Sequence, residues 1–370
     1  MSDSIGNMPD KKPVEKPKEN PPMYISSSPH TGSRINSRIL MSGVLLSLAP
    51  VSIFGIVLYG IPALVTMLVS VASAELAEAL FRKITRQDLR NRDFSAAVTG
   101  LLLALVLPPG TPWWMTALGA VFAIVVAKEF FSGLGANVFN PALIGRAFLL
   151  MSFPVALTSW AVPRAFFGGG TLAAADALSS ATPLGILKLE GTIADVGSSL
   201  AAAGLAAGSD YWSIIRSLFL GIRGGCIGES SIALILVGFV YLLVTGTIDW
   251  RAPVSMIASV FVFSLIFRGD LGFALFAILS GGVIFGAVFM TTDYVTAPLT
   301  AAGKLIFGFG AGLILVLIRQ WGNYPEGVTY GILIMNAVTP FLNRLLQKKY
   351  GYVKPQKAAV PGDAAKGGAK

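Results

Sequence analysis

The chain has 370 residues, of which 54% are hydrophobic and only 13% charged, with 41 glycines and a mean hydropathy of +0.71. A soluble domain needs a polar surface, so this composition excludes one and describes an all-α polytopic membrane protein surrounded largely by lipid. The formal charge of +9 does not argue for nucleic acid, because the cations cluster beside hydrophobic segments, where they set topology.

Residues 1–38 are rich in Pro, Lys, Glu and Ser and lack the early apolar core of a cleavable signal, which predicts a disordered cytoplasmic tail. Its His30 is the chain's single histidine, and Cys226 its single cysteine. One thiol makes neither an internal disulfide nor a multi-cysteine metal cluster, and no metal site is expected. A span needs roughly 20 apolar residues. The candidates are 39–59, 62–81, 94–108, 113–131, 140–158, 230–247, 252–267, 271–290, 304–320 and 327–346. Residues 39–158 then form one five-helix repeat and 230–347 a second. Residues 159–229 form a long polar region between them, and 348–370 a basic tail.

The loop "RKITRQDLRNRD" (82–93) carries five basic residues and the tail from Arg344 seven more. The excess of Lys and Arg predicts that both are cytoplasmic, which places 159–229 outside and both termini inside. The halves echo each other at an offset of about 190 residues. "SGVLLSLAPVSIFGIVLYG" (42–60) matches "SSIALILVGFVYLLVTG" (230–246) in pattern, "ANVFNPALI" (136–144) aligns with "EGVTYGILI" (326–334), and "LPPGTPWW" (107–114) falls where "MTTDYVTAP" (290–298) falls later. Five spans per half is odd, so the repeats are expected to insert in opposite orientation, with interrupted helices meeting at a cavity.

Ionisable residues inside a membrane are costly and mark functional candidates. Glu75 and Glu78 sit i,i+3 on the second segment, Lys128 and Glu129 end the fourth, Arg146 opens the fifth, and Asp293 lies in the break after the eighth. Glu129, Asn140, Arg146 and Asp293 are candidates for ion passage. The competing reading is that residues near span ends reach the interface or satisfy local partners. "SGLGANVFNPALIGR" has neither the glycine spacing nor the strand-to-helix setting of a phosphate loop. A re-entrant turn or a cavity lining fits it better.

"RDFSAAVTGLLLALVLPP" (92–109), "FFSGLGANVFNPALIGRAFLL" (130–150), "GCIGESS" (225–231), "MTTDYVTAP" and "EGVTYGILIMN" (326–336) together resemble the D subunit of Rnf-type ion-translocating ferredoxin:NAD+ oxidoreductases. The resemblance covers nearly all of residues 38–350. It implies a bacterial or archaeal cytoplasmic membrane, the A, B, C, E and G subunits of the complex as partners, and electron transfer coupled to Na+ or H+ movement. It also implies a covalent FMN, joined by a flavin transferase through a phosphoester to a threonine in a motif close to D-x-x-S/T-G-A-T. Here "DALSSAT" supplies Asp176, Ser179, Ser180, Ala181 and Thr182, with Ser180 in place of the usual Gly. Thr182 is the expected acceptor on an accessible loop, with Ser180 the alternative because the departure from Gly blurs the register. A noncovalent riboflavin is a further expectation, since the relatives carry one, and with it Glu129, Asn140, Arg146, Asp293 and the cavity beside "SGLGANVFNPALIGR" become candidates for a second flavin as well as for the ion.

Without the resemblance, "DALSSAT" reads as an ordinary loop whose hydroxyls serve turns and helix caps. Two other functions stay open. One is the similar B subunit of sodium-pumping NADH:quinone reductases. The other is a non-redox solute channel of the urea-transporter type, since fold does not fix function.

Overall fold

The computed structural model describes residues 36–87, 93–160, 182–190, 211–221, 223–322 and 326–346. Among these every regular element is helical. The first half contains α1 (Ser37–Tyr59), α2 (Ile61–Ile84), α3 (Ser95–Leu105), α4 (Trp113–Val125), α5 (Pro141–Ser152) and the short α6 (Pro154–Thr158). Next come α7 (Pro183–Glu190) and α8 (Tyr211–Leu220). The second half contains α9 (Ile232–Val244), α10 (Arg251–Arg268), α11 (Leu271–Leu279), α12 (Val283–Met290), α13 (Ala301–Trp321) and α14 (Val328–Leu346).

Five helical stretches are long and apolar enough to cross a membrane, namely α1, α2, α4 extended to Phe131, α10 and α13. The pair α11 and α12, bent by 63°, makes up to a sixth. All ten expected segments are helical, but several are shorter than predicted. At 1.5 Å per residue, the 11 residues of α3 and 12 of α5 reach only about 17–18 Å, roughly half the hydrocarbon thickness. Proline sets these limits. Pro108 and Pro109 follow α3, Pro141 opens α5, and Pro154 starts a separate turn after Phe153, because proline lacks the amide that would continue the ladder. Neither half-helix stands against lipid alone. Most of α3 is buried, including Leu102, Leu103, Ala104 and Leu105.

The two halves pack in the same order. In the first, α2 lies against α3 and α4, and α4 against α5. In the second, α10 lies against α11 and α13, and α13 against α14. The halves meet where α1 packs on α9 and where α5 packs on α14. Small residues permit the close crossings, as expected where lipid gives no hydrophobic drive between helices. A Cβ at Gly100 would sit 2.8 Å from the Ser70 carbonyl, whose own hydroxyl donates to the Gly100 carbonyl at 2.6 Å. Across α10 and α13, Ser255 donates to the Leu305 carbonyl at 2.6 Å and Ser259 to that of Phe309 at 2.8 Å. Large apolar side chains such as Ile53, Leu68, Val237 and Ile266 face outward, which suits a lipid boundary.

Candidate functional site

The expected site residues fall into four places. Asn140 and Asp293 come together at one cavity. It is lined by Ser95 and Lys128 from one half and by Thr292 and Asp293 from the other, with Asn137 and Asn140 from the irregular lead-in to α5. Met41, Val98, Leu242 and Phe289 make it otherwise apolar. Asn140 is the N-cap of α5. Its Oδ1 accepts from the Ala142 and Leu143 amides at 3.0 and 3.3 Å, while its Nδ2 donates to Met290 Sδ at 3.8 Å. The cap therefore ties the first half to the end of α12. That end is a π-turn over Gly286–Met290, a geometry frequent at functional sites. Asp293 follows it, accepting from the Thr296 hydroxyl at 3.0 Å and, more weakly, from the Val295 amide at 3.4 Å.

Glu129 does not line that cavity. It belongs to a buried ion network on the far side of Lys128. Lys128 Nζ donates to Glu78 at 3.1 Å and to Ser95 Oγ at 2.6 Å. Arg82 lies 3.4 Å from Glu78 and 3.1 Å from Glu129. All four charged side chains are at most 3% exposed. Two cations against two carboxylates leave no net charge, the condition under which buried ions are tolerated. Glu78, an equal candidate with Glu75 from spacing alone, is the hub, whereas Glu75 is only half-buried.

Arg146 lies in a third place and at mid-helix, not at the opening of α5. Its guanidinium forms a short ion pair with Glu326, at the lead-in to α14. It also stands 3.9 Å from Glu229 and 3.5 Å from Cys226 Sγ. Ligand atoms of Cys226, Glu229 and Glu326 lie within 4.8 Å of one another, a spacing that could accept a metal. The Arg146 guanidinium already occupies their company and repels a second cation. Arg223 adjoins the cluster, donating to the Leu279, Gly281 and Glu229 carbonyls at 2.7, 3.3 and 2.9 Å. Tyr59 donates to the Arg223 carbonyl at 3.0 Å. Sequence reasoning misses Glu229, Glu326 and Arg223, although "GCIGESS" and "EGVTYGILI" carry the two acids.

Thr182 is the fourth place. Asp176, Ser179, Ser180 and Ala181 lie outside the described residues. Thr182 is not an exposed loop hydroxyl. It is 7% exposed, and its Oγ1 accepts from the Gly185 amide at 3.1 Å. This makes it the N-cap of α7, with Pro183 at the first helical position. Threonine followed by proline is a strong helix start, because the hydroxyl meets an orphan amide and the ring presets φ. The hydrogen bond uses Oγ1 as acceptor only. An ester oxygen at the same position keeps a lone pair for that amide, so the cap geometry is compatible with a phosphoester.

A family model for the NQR2, RnfD, RnfE family matches residues 24–351. The chain is 42% identical over 332 residues to the D subunit of the proton-translocating ferredoxin:NAD(+) oxidoreductase complex of Clostridium ljungdahlii, covering 88% of this chain and 96% of that one. It is 38% identical to the D subunit of the Na(+)-translocating ferredoxin:NAD(+) oxidoreductase complex of Acetobacterium woodii, covering 91% and 98%. It is also 38% identical to the D subunit of the ion-translocating oxidoreductase complex of Stutzerimonas stutzeri, covering 84% and 91%. The matched residues span the half-helices and both buried ion clusters described above, and the chain belongs to the NQR2, RnfD, RnfE family.

Proposed function

We propose that this chain is the D subunit of an Rnf-type complex, a membrane subunit that passes electrons between ferredoxin and NAD+ chemistry held by partner subunits while Na+ or H+ is moved. The end-to-end similarity to three proteins named as D subunits of such complexes carries this reading. It is a subunit of an oxidoreductase and does not act alone. The membrane is the cytoplasmic membrane, with both termini inside and the Thr182 segment outside, a reading supported by the distribution of basic residues.

Thr182 is the attachment point for FMN. The isoalloxazine ring supplies one- and two-electron chemistry, and the protein supplies its location and potential. Asp176, Ser179, Ser180 and Ala181 complete the segment read by the transferase. Thr182 itself does two jobs, capping α7 and offering the hydroxyl.

The cavity between Asn140 and Asp293 is the place for the ion. Its water-accessible space is about 70 Å³, room for a cation with a few waters at roughly 10–15 Å³ each. In this form it does not fit a riboflavin ring, which would require Met41, Val98 and Phe289 to part. Asp293 supplies the hard oxygen that such a cation prefers. Relatives named for H+ and for Na+ are about equally similar, so overall similarity does not select the ion.

The test separates attachment from capping. With the transferase co-expressed, the parent chain retains flavin fluorescence after denaturation. Thr182→Asn, which keeps a capping oxygen but has no hydroxyl to esterify, loses that fluorescence and keeps the unfolding midpoint of the parent made without the transferase. Full labelling of Thr182→Asn overturns the assignment.

A further inference from the structure

The internal repeat builds one helix corner twice, and only one copy is electrically closed. In the first half "EALFR" (78–82) ends α2, and "VAKEF" (126–130) follows α4. In the second half "SLIFR" (264–268) ends α10, and "LIRQW" (317–321) ends α13. Ring contacts fix the correspondence. Phe81 meets Phe130 with centroids 5.9 Å apart, and Phe267 meets Trp321 at 5.1 Å. Arg82 and Lys128 thus match Arg268 and Arg319, while the two acids of the first corner, Glu78 and Glu129, match Ser264 and Gln320.

The loss of both acids leaves a space. Ser264, Arg268, Arg319 and Gln320 line a cavity of about 250 Å³, walled on its other side by Leu184 and Leu187 of α7. Among the described residues neither arginine pairs with a carboxylate. Arg319 is held rigidly. Its terminal nitrogens donate to the Ala277 and Ser280 carbonyls at 2.7 and 3.1 Å, and its buried Nε has no partner. Gly281 has a φ of 66°, and a Cβ there would lie 2.9 Å from that guanidinium. Arg268 stacks over Phe273 at 5.1 Å, and Phe273 also lines the cavity. The arrangement has one cation held by two carbonyls, a second, exposed cation stacked on a ring, two neutral hydrogen-bonding side chains and an apolar wall.

We propose that this corner is a binding site for a phosphate ester, whose negative charge takes the place that Glu78 and Glu129 fill in the first half. Guanidinium groups suit phosphoryl oxygens because their donors form a planar fork. The phosphate has two sources of the same chemistry. One is an anionic phospholipid headgroup entering from the membrane, and the other is the phosphodiester carried at Thr182, two residues before the wall residue Leu184. The lipid arm stands whether or not Thr182 carries flavin.

The experiment uses the full chain in detergent, made without and with the flavin transferase. Unfolding midpoints are recorded with phosphatidylglycerol, with phosphatidylcholine, and with no added lipid, and native mass spectrometry counts retained phosphatidylglycerol. The parent is expected to gain stability from phosphatidylglycerol, from modification at Thr182, or from both, and the responding arm identifies the source. Arg319→Gln should cut that gain at least threefold. Gln320→Glu, which restores the acid of the first corner, should raise the midpoint without ligand and abolish the gain, so it keeps the test decisive if Arg319→Gln folds poorly. No gain in either arm overturns the site, as does an undiminished gain in Gln320→Glu.

Discussion

Lys128 and Glu78 are 3.1 Å apart although 50 residues separate them, and the contact joins the end of the fourth segment to the last turns of α2. Arg82 and Glu129 close the same network from the other side at 3.1 Å. An adjacent Lys and Glu in sequence thus serve different partners, each pointing to an opposite charge on one helix.

Removing one member leaves an uncompensated buried charge. Glu78→Gln is expected to destabilise the chain by about 3–5 kcal/mol. Combining it with Lys128→Met, which leaves Arg82 and Glu129 as a balanced pair, should cost less than Glu78→Gln alone. Thermal unfolding in detergent reads both, and simply additive costs would show that the two groups are not coupled.

Asp293→Asn keeps an oxygen for the Val295 amide and can still hydrogen-bond the Thr296 hydroxyl, so the turn should survive. Loss of the charge is expected to lower ion uptake at least several-fold in vesicles carrying the assembled complex, with covalent flavin at Thr182 unchanged. Ion uptake and ferredoxin-driven NAD+ reduction at parental rates would make Asp293 a residue of the turn alone.

Asp249 links the start of α10 to α13. Partial burial pushes its carboxylate up, but hydrogen bonds from the Arg251 amide, Lys304 and the Arg251 side chain outweigh this and hold it below its ordinary value of 3.8. A depressed folded value means that its stabilisation is full above about pH 3.8 and fades as pH falls through the lower folded value. Asp249→Asn should therefore lower the unfolding midpoint at pH 7, and the gap from the parent should shrink on acidification below pH 4. A gap that widens in acid would reverse the sign.

Topology is checked by thiol labelling. Cys226 is buried, so the parent should resist a membrane-impermeant reagent in intact cells. In a Cys226→Ser background, a cysteine at position 179 should react from outside, and one at position 87 only after the membrane is opened. The opposite pattern would invert the orientation drawn from the basic loop.

Much of the candidate site is legible as residue types in particular segments, and less of it as partnerships. Asn140, Asp293 and Glu129 stand out because polar groups in apolar segments are expensive. Yet the fold sends Asn140 and Asp293 to one cavity and Glu129 to an ion network. Glu229 and Glu326 stay unmarked because they lie beside helix starts, where an acid is unremarkable until Arg146 is seen between them. Family resemblance marks Thr182 as an acceptor, while its role as a cap, written in "TPLG", is the plainer reading of the same residues.

The sequence by itself determined the membrane class, the positions of the apolar segments and the repeated order of motifs. Hydrophobicity, proline and glycine act locally, over the length of one helix. Only the tertiary structure decided which charges neutralise one another, since Arg146 and Glu326 are 180 residues apart and ion pairing depends on distance in space. It also decided that α3 and α5 are half-helices sheltered by protein, because a chain of apolar residues looks the same whether its neighbour is lipid or another helix.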